Sequence, residues 1–178
     1  PVRAIDGRLP RNAHECLHGL FAKLIDDGHD LMAICLEAAR RHDLAIYGSF
    51  RMNDAHICDE ARGWYGRSPQ KIDRSDLLIG GAVPRGVHGS PWGFSWRWDY
   101  AKPEVRDRFL GLFDEILGRY DVDGLELDFS RAPPFFKPGE VFANIPVLTE
   151  FVGAARDVVR RRGAARGRPL RLVVRVPV

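Results

Sequence analysis

Two acids set two positions apart, Glu126 and Asp128 in the run Asp-Gly-Leu-Glu-Leu-Asp-Phe at 123–129, carry the clearest chemical signal in the chain. From Leu125 to Phe129 apolar and acidic residues alternate, which is the period of a strand. Leu125, Leu127 and Phe129 then face one way and both carboxylates the other. If that second side looks into a closed interior, an unpaired carboxylate there costs several kcal/mol, so two of them are read as a functional pair. Glycoside hydrolysis uses two carboxyl groups ~5–5.5 Å apart for retention or ~6.5–9.5 Å for inversion. Strand rise puts Glu126 and Asp128 ~6.5–7 Å apart at Cα, but pointing the same way. Asp128, at the strand's end, is therefore assigned as nucleophile or base. The acid is assigned to another loop, to Asp54, to Asp99 or to a residue beyond Val178. The plainer role for Glu126 is an ion pair with an inward Arg or Lys.

Two further groups accompany the pair. Arg51-Met-Asn-Asp-Ala-His56 directly follows the apolar run Leu44–Phe50 and offers Arg51, Asn53, Asp54 and His56. Trp92-Gly-Phe-Ser-Trp-Arg-Trp-Asp-Tyr100 reads as a short strand with Trp96, Trp98 and Tyr100 on one side and Arg97 and Asp99 on the other. Indole faces suit the C–H faces of sugar rings, which makes Trp92, Trp96 and Trp98 candidates for a ligand platform. Arg131 opens a proline-rich loop just past Asp128, where Phe135 and Phe136 form a pocket wall or a plug.

The elements that must hold these residues alternate between helix and strand. His14 to Ile25 has a helical stripe at Leu17, Leu20, Phe21 and Leu24. Asp30 caps a second helix, Leu31 to His42, whose buried stripe is read as Leu31, Ile34, Cys35 and Ala38. Residues 57–91 show no sustained period and read as a loop or lid. Pro103 opens a helix with apolar positions at Val105, Phe109, Leu112, Phe113, Ile116 and Leu117, and it delivers the chain to the carboxylate strand. Pro146 opens a last helix to about Arg162. A last strand, Leu170–Val176, places Arg171, Val173 and Arg175 on one face. Helix, short link, strand and then a polar loop is the grammar of a (β/α) barrel, in which the loops after the strands carry the chemistry.

Composition narrows the class. Of 178 residues, 45% are hydrophobic and 29% charged, an ordinary balance for a globular domain. A complete eight-stranded barrel takes ~250 residues, so the expected fold is α/β, a partial TIM-type barrel in a chain cut short, occupying 1–178 as one domain. No apolar run approaches the ~20 residues that cross a bilayer, so no membrane partner is expected. The net charge of +3 comes largely from arginines between Arg156 and Arg171. Without interleaved aromatics these read as solvated surface and helix-dipole partners, and no nucleic acid is expected. Three cysteines far apart give no disulfide framework, and His14 with His18 lacks a third metal ligand. No metal or other cofactor is expected, and neither export nor a cytoplasmic location follows from the sequence.

The run Trp98-Asp-Tyr-Ala-Lys-Pro-Glu-Val-Arg-Asp, with Arg119-Tyr-Asp-Val-Asp-Gly-Leu-Glu-Leu-Asp128 after the helix, resembles the bacterial glycosyl-hydrolase-like family of amylase-type TIM barrels. The likeness covers roughly residues 92 to 131. It implies a barrel, a glycoside or polysaccharide substrate, and Asp128 in the nucleophile-type position at the end of a strand. Amylase-type enzymes often carry an Arg two residues before that aspartate, where this chain has Glu126. The expected site is therefore Asp128, Glu126 and Asp54 for catalysis, with Arg51, Asn53, His56, Trp96, Trp98, Asp99 and Arg131 on a carbohydrate substrate. Two rivals are a metal-dependent barrel hydrolase or isomerase using Asp54, His56, Glu126 and Asp128, and a carbohydrate-binding barrel without catalysis.

Overall fold

The computed structural model describes residues 13–53, 69–81, 96–131 and 133–177. The chain divides into two compact units, Pro1–Ala45 and Ile46–Val178. The first holds helices α1 (Ala13–Asp26) and α2 (Leu31–Arg41). Asp30 caps α2 as its type predicts, Oδ1 accepting from Met32 N at 3.0 Å and Ala33 N at 3.2 Å. The buried side of α2 is not the expected one. Ala39 is buried and Met32 and Leu36 are half-buried, whereas Ile34, Cys35 and Ala38 are exposed. Apolar residues sit on both sides of this helix, so periodicity alone left its rotation open.

The second unit is a three-stranded sheet with helices. In chain order it contains β1 (Tyr47–Arg51), α3 (Pro69–Asp73), a 3-10 turn (Ser75–Leu77), α4 (Pro103–Arg119), β2 (Gly124–Asp128), α5 (Ile145–Arg166) and β3 (Arg171–Arg175). All strand pairs are parallel, in the order β1-β2-β3. Both crossovers step in the same direction, and for right-handed connections that sends both helices to the same face. Gly48, Phe50, Leu125 and Leu127 point to that face. Phe50 meets Phe113 of α4 edge-on at 4.9 Å, and Phe113 meets Phe151 of α5 at 6.1 Å. Val105, Phe109, Phe113 and Leu117, four residues apart in succession, form the buried line of α4. None of the described helices is long and apolar enough to cross a membrane.

The barrel expectation fails here. The sheet has three strands among the described residues and stays open, because β1 and β3 each pair with β2 and not with one another. Adjacent strands turn by roughly 20–25°, so three of them cannot bring their edges together. The face opposite the helices, which carries Glu126 and Asp128, is no sealed interior: Ser49, Arg51 and Arg175 are exposed and Val173 is 40% exposed. Periodicity correctly separated the two faces of β2 but could not report whether the second one was enclosed.

What aligns the strands is the Arg119–Gly124 segment. Asp123 exchanges hydrogen bonds with Ile46 at the entry to β1, donating through N to Ile46 O at 2.8 Å and accepting at Oδ2 from Ile46 N at 2.9 Å. Its carbonyl accepts from Arg171 N at 3.0 Å at the entry to β3. Arg168 donates to Asp123 Oδ1 at 3.0 Å and to Asp121 Oδ1 at 2.5 Å. Gly124 then allows a close backbone approach, since a Cβ there would stand 2.0 Å from Arg171 O. This segment sets the register of all three strands.

The C-terminal half of α5 does more than face solvent. Arg162 grips Asp114 of α4 through Nε at 2.8 Å and through Nη2, and Arg161 donates to the same carboxylate at 2.8 Å. Arg166 donates to the carbonyls of Leu117 in the last turn of α4 and of Tyr120 and Val122 just past its end. The basic run read as solvated surface is in large part a clasp between α4 and α5.

Candidate active site

The carboxyl ends of parallel strands are where α/β proteins place ligands, because the loops there are free to vary while the sheet stays rigid. Register brings Arg51, Asp128 and Arg175 into one row across β1, β2 and β3, and Ser49, Glu126 and Val173 into the row behind it. All six share the face opposite α4 and α5.

Asp128 is 8% exposed. Its Oδ1 accepts from Ser130 N at 2.9 Å and from Ser130 Oγ, a local turn made available by the Asp-Phe-Ser sequence. The hydroxyl bond from Ser130 is the main reason its carboxyl is held below the usual carboxylate range. Burial works against this, while the Ser130 amide and the charges of Arg175 and Arg51 add to it. Glu126 has both oxygens engaged: Oε1 accepts from Ser49 Oγ and Oε2 from Arg175 Nη2, each at 2.9 Å. It takes the ion-pair role.

The second expected cluster is split. Arg51 is exposed on the carboxylate face. Asn53 is 1% exposed and holds backbone: Oδ1 accepts from Trp98 N at 3.0 Å, and Nδ2 donates to Trp98 O at 3.2 Å and Pro134 O at 3.3 Å. An amide spent this way ties the end of β1 to two loops and has little left for a substrate. Asp54 and His56 lie outside the described residues, as does Trp92.

Trp98 and Tyr100 of the aromatic run belong to the core. Residues 96–100 make no strand, only an isolated antiparallel bridge between Leu78 and Trp98. Trp98 is 7% exposed, with Lys71 Nζ 5.5 Å and Arg108 Cζ 5.8 Å from its ring centroid. Tyr100 is fully buried, stacked on Phe109 at 5.5 Å, and its hydroxyl donates to Met52 O. Burial pushes its phenol well above the usual value. Asp99 is buried and serves its own turn, Oδ1 accepting from Ala101 N at 3.0 Å. Trp96 is half-buried and Arg131 exposed. Phe136 is buried and Phe135 packs on Phe129 at 5.2 Å, which makes the proline-rich loop a plug.

Sequence reading passed over Ser49, Ser130 and Arg175. The last was legible in principle, since pairing β3 to β2 in parallel with matched ends sets Arg175 beside Asp128. Among the described residues no three His, Cys, Asp or Glu side chains converge as a metal site.

Together these features define an open-faced parallel α/β unit with an arginine-flanked, ionised carboxylate at the carboxyl end of its central strand. No family model matches the chain, and no curated protein matches its sequence. The resemblance seen over residues 92 to 131 therefore rests on those residues alone.

Proposed function

We propose that the chain acts on a glycoside or polysaccharide, with Asp128 as the carboxylate presented to the anomeric carbon. The observation supporting this is the state of Asp128: hydrogen bonds from Ser130 and two flanking arginines favour its anion, at the strand end where ligands bind. A carboxylate kept ionised suits a nucleophile or base and does not suit the acid, which must hold a proton when substrate arrives. Glu126, with both oxygens engaged, positions Arg175. The proton donor is then assigned to Asp54, three residues beyond Arg51.

The test is turnover of a panel of aryl glycosides and polysaccharides by the protein and by Asp128→Asn. The expected loss is about 10²–10⁴-fold, the usual worth of a positioned acid or base, with circular dichroism unchanged. Equal turnover in the variant would remove Asp128 from the chemistry. A second reading, binding without catalysis, is favoured by one observation: the strands put no third carboxylate on this face. Undiminished glycan affinity in Asp128→Asn, with no turnover by the parent protein on any substrate, would select it.

A further inference from the structure

The row at the strand ends is asymmetric in its engagements. Arg175 is committed to Glu126, one row back, by an ion pair at 2.9 Å. Arg51, on the other side of Asp128, is exposed and its guanidinium makes no hydrogen bond or ion pair among the described residues, although its Cα is the register partner of Asp128. Asp128 likewise spends only Oδ1, on Ser130, and its Oδ2 takes no protein hydrogen among the described residues. Among the described residues two groups are thus left open side by side: one carboxylate oxygen and a planar guanidinium with its fork of donors. The rest of the face offers mainly Ser49, Val173 and the closed Glu126–Arg175 pair.

An arginine left unpaired one strand away from a carboxylate is well placed to take a ligand's own anion, because its fork matches a carboxylate or sulfate with two parallel hydrogen bonds. Strand spacing puts the two groups ~4.8 Å apart at the backbone, a span comparable to a pyranose ring. We infer that Arg51 selects an anionic glycan, holding a carboxylate or sulfate ester on the sugar whose reacting bond faces Asp128. This rests on the glycoside reading above and adds the substrate class. Asp128, negative itself, would repel such a ligand, and Arg51 offsets that repulsion at the position where it is felt.

The experiment titrates the protein with three oligosaccharide probes, one uronate, one sulfated and one neutral, followed by chemical shift or calorimetry at fixed salt. Parent protein, Arg51→Gln, Arg51→Lys and Arg160→Gln are compared, the last a control on the basic end of α5. Arg51 is exposed, so its substitution is expected to leave folding intact. The expected result is that an acidic probe binds more tightly than the neutral one. Arg51→Gln then loses roughly 10- to 100-fold on that probe, the value of hydrogen bonds to a charged group, and keeps its affinity for the neutral one. Arg51→Lys recovers part of the loss, and whichever acidic probe responds identifies the anion. Neutral glycan bound as tightly as acidic, or acidic glycan bound equally by Arg51→Gln, overturns the assignment while leaving the glycoside reading in place. Acidic binding lost only in Arg160→Gln overturns it in favour of charge on α5. Failure of all three probes to bind removes the glycoside reading and this inference with it.

Discussion

Asp114→Asn tests the clasp between α4 and α5, and its effect can be sized from the structure. The Arg162 hydrogen bonds, helped by Arg161, hold the Asp114 carboxyl at about 2 against a reference of 3.8. Taken at face value the gap of ~1.8 units corresponds to ~2.5 kcal/mol at neutral pH, at 1.36 kcal/mol per unit. The Asp114 and Arg162 side chains are 34% and 33% exposed, so water and salt screen the pair, and about 1 kcal/mol is the realistic figure. Because the folded-state value is depressed, the contribution is complete above the unfolded value near 4 and disappears as pH falls through about 2. Urea unfolding of parent and Asp114→Asn between pH 2 and 7 should show a gap of ~1 kcal/mol at pH 7, about 2–4 °C in melting temperature for a chain of this size. That gap should shrink across pH 4 to 2 and close at the bottom of the range. In an Arg162→Ala background the same substitution should cost much less. A difference that stays constant down to pH 2, or one equally large without Arg162, would show that the ion pair is not what Asp114 contributes.

Gly124→Ala forces a methyl group to within 2.0 Å of the Arg171 carbonyl, so β3 must shift away from β2. The expected cost is at least the roughly 1–3 kcal/mol of an overpacked site, and the Arg175–Glu126 bond should be lost with it. Amide exchange of β3 residues is the readout, and protection equal to the parent's would refute the close approach. Ser130→Ala removes the largest influence lowering the Asp128 carboxyl, so the pH at which Asp128 loses its proton should rise. Carbon-detected NMR titration of its carboxyl would register that shift. An unchanged titration would mean that the Ser130 amide and the two arginines set the value without the hydroxyl.

How much of this was legible in the sequence depends on which forces act locally. Asp30 as a cap, the α4 stripe and the two faces of β2 were all readable, because each depends on residues within a turn or two. The polar residues singled out for chemistry were harder. Asn53 and Asp99 have the residue types of a site, yet both are absorbed by backbone partners, Asn53 by Trp98 and Pro134, which lie 45 and 81 positions away. No local rule separates an amide that clamps loops from one that binds ligand. Trp98 is hard to place for the related reason that indole is suited equally to a sugar face and to a core, and its burial decides for core. The segment that suggested a family, Arg119 to Gly124, is accounted for by strand alignment: Asp123 joins the entries of β1 and β3, Asp121 and Asp123 hold Arg168, and Gly124 admits the Arg171 carbonyl. A motif of that kind reports how a parallel sheet is assembled and says little about what the sheet acts on. The proposed chemistry therefore rests on the row Arg51, Asp128 and Arg175, whose members are far apart in sequence and become neighbours only through the register of the three strands.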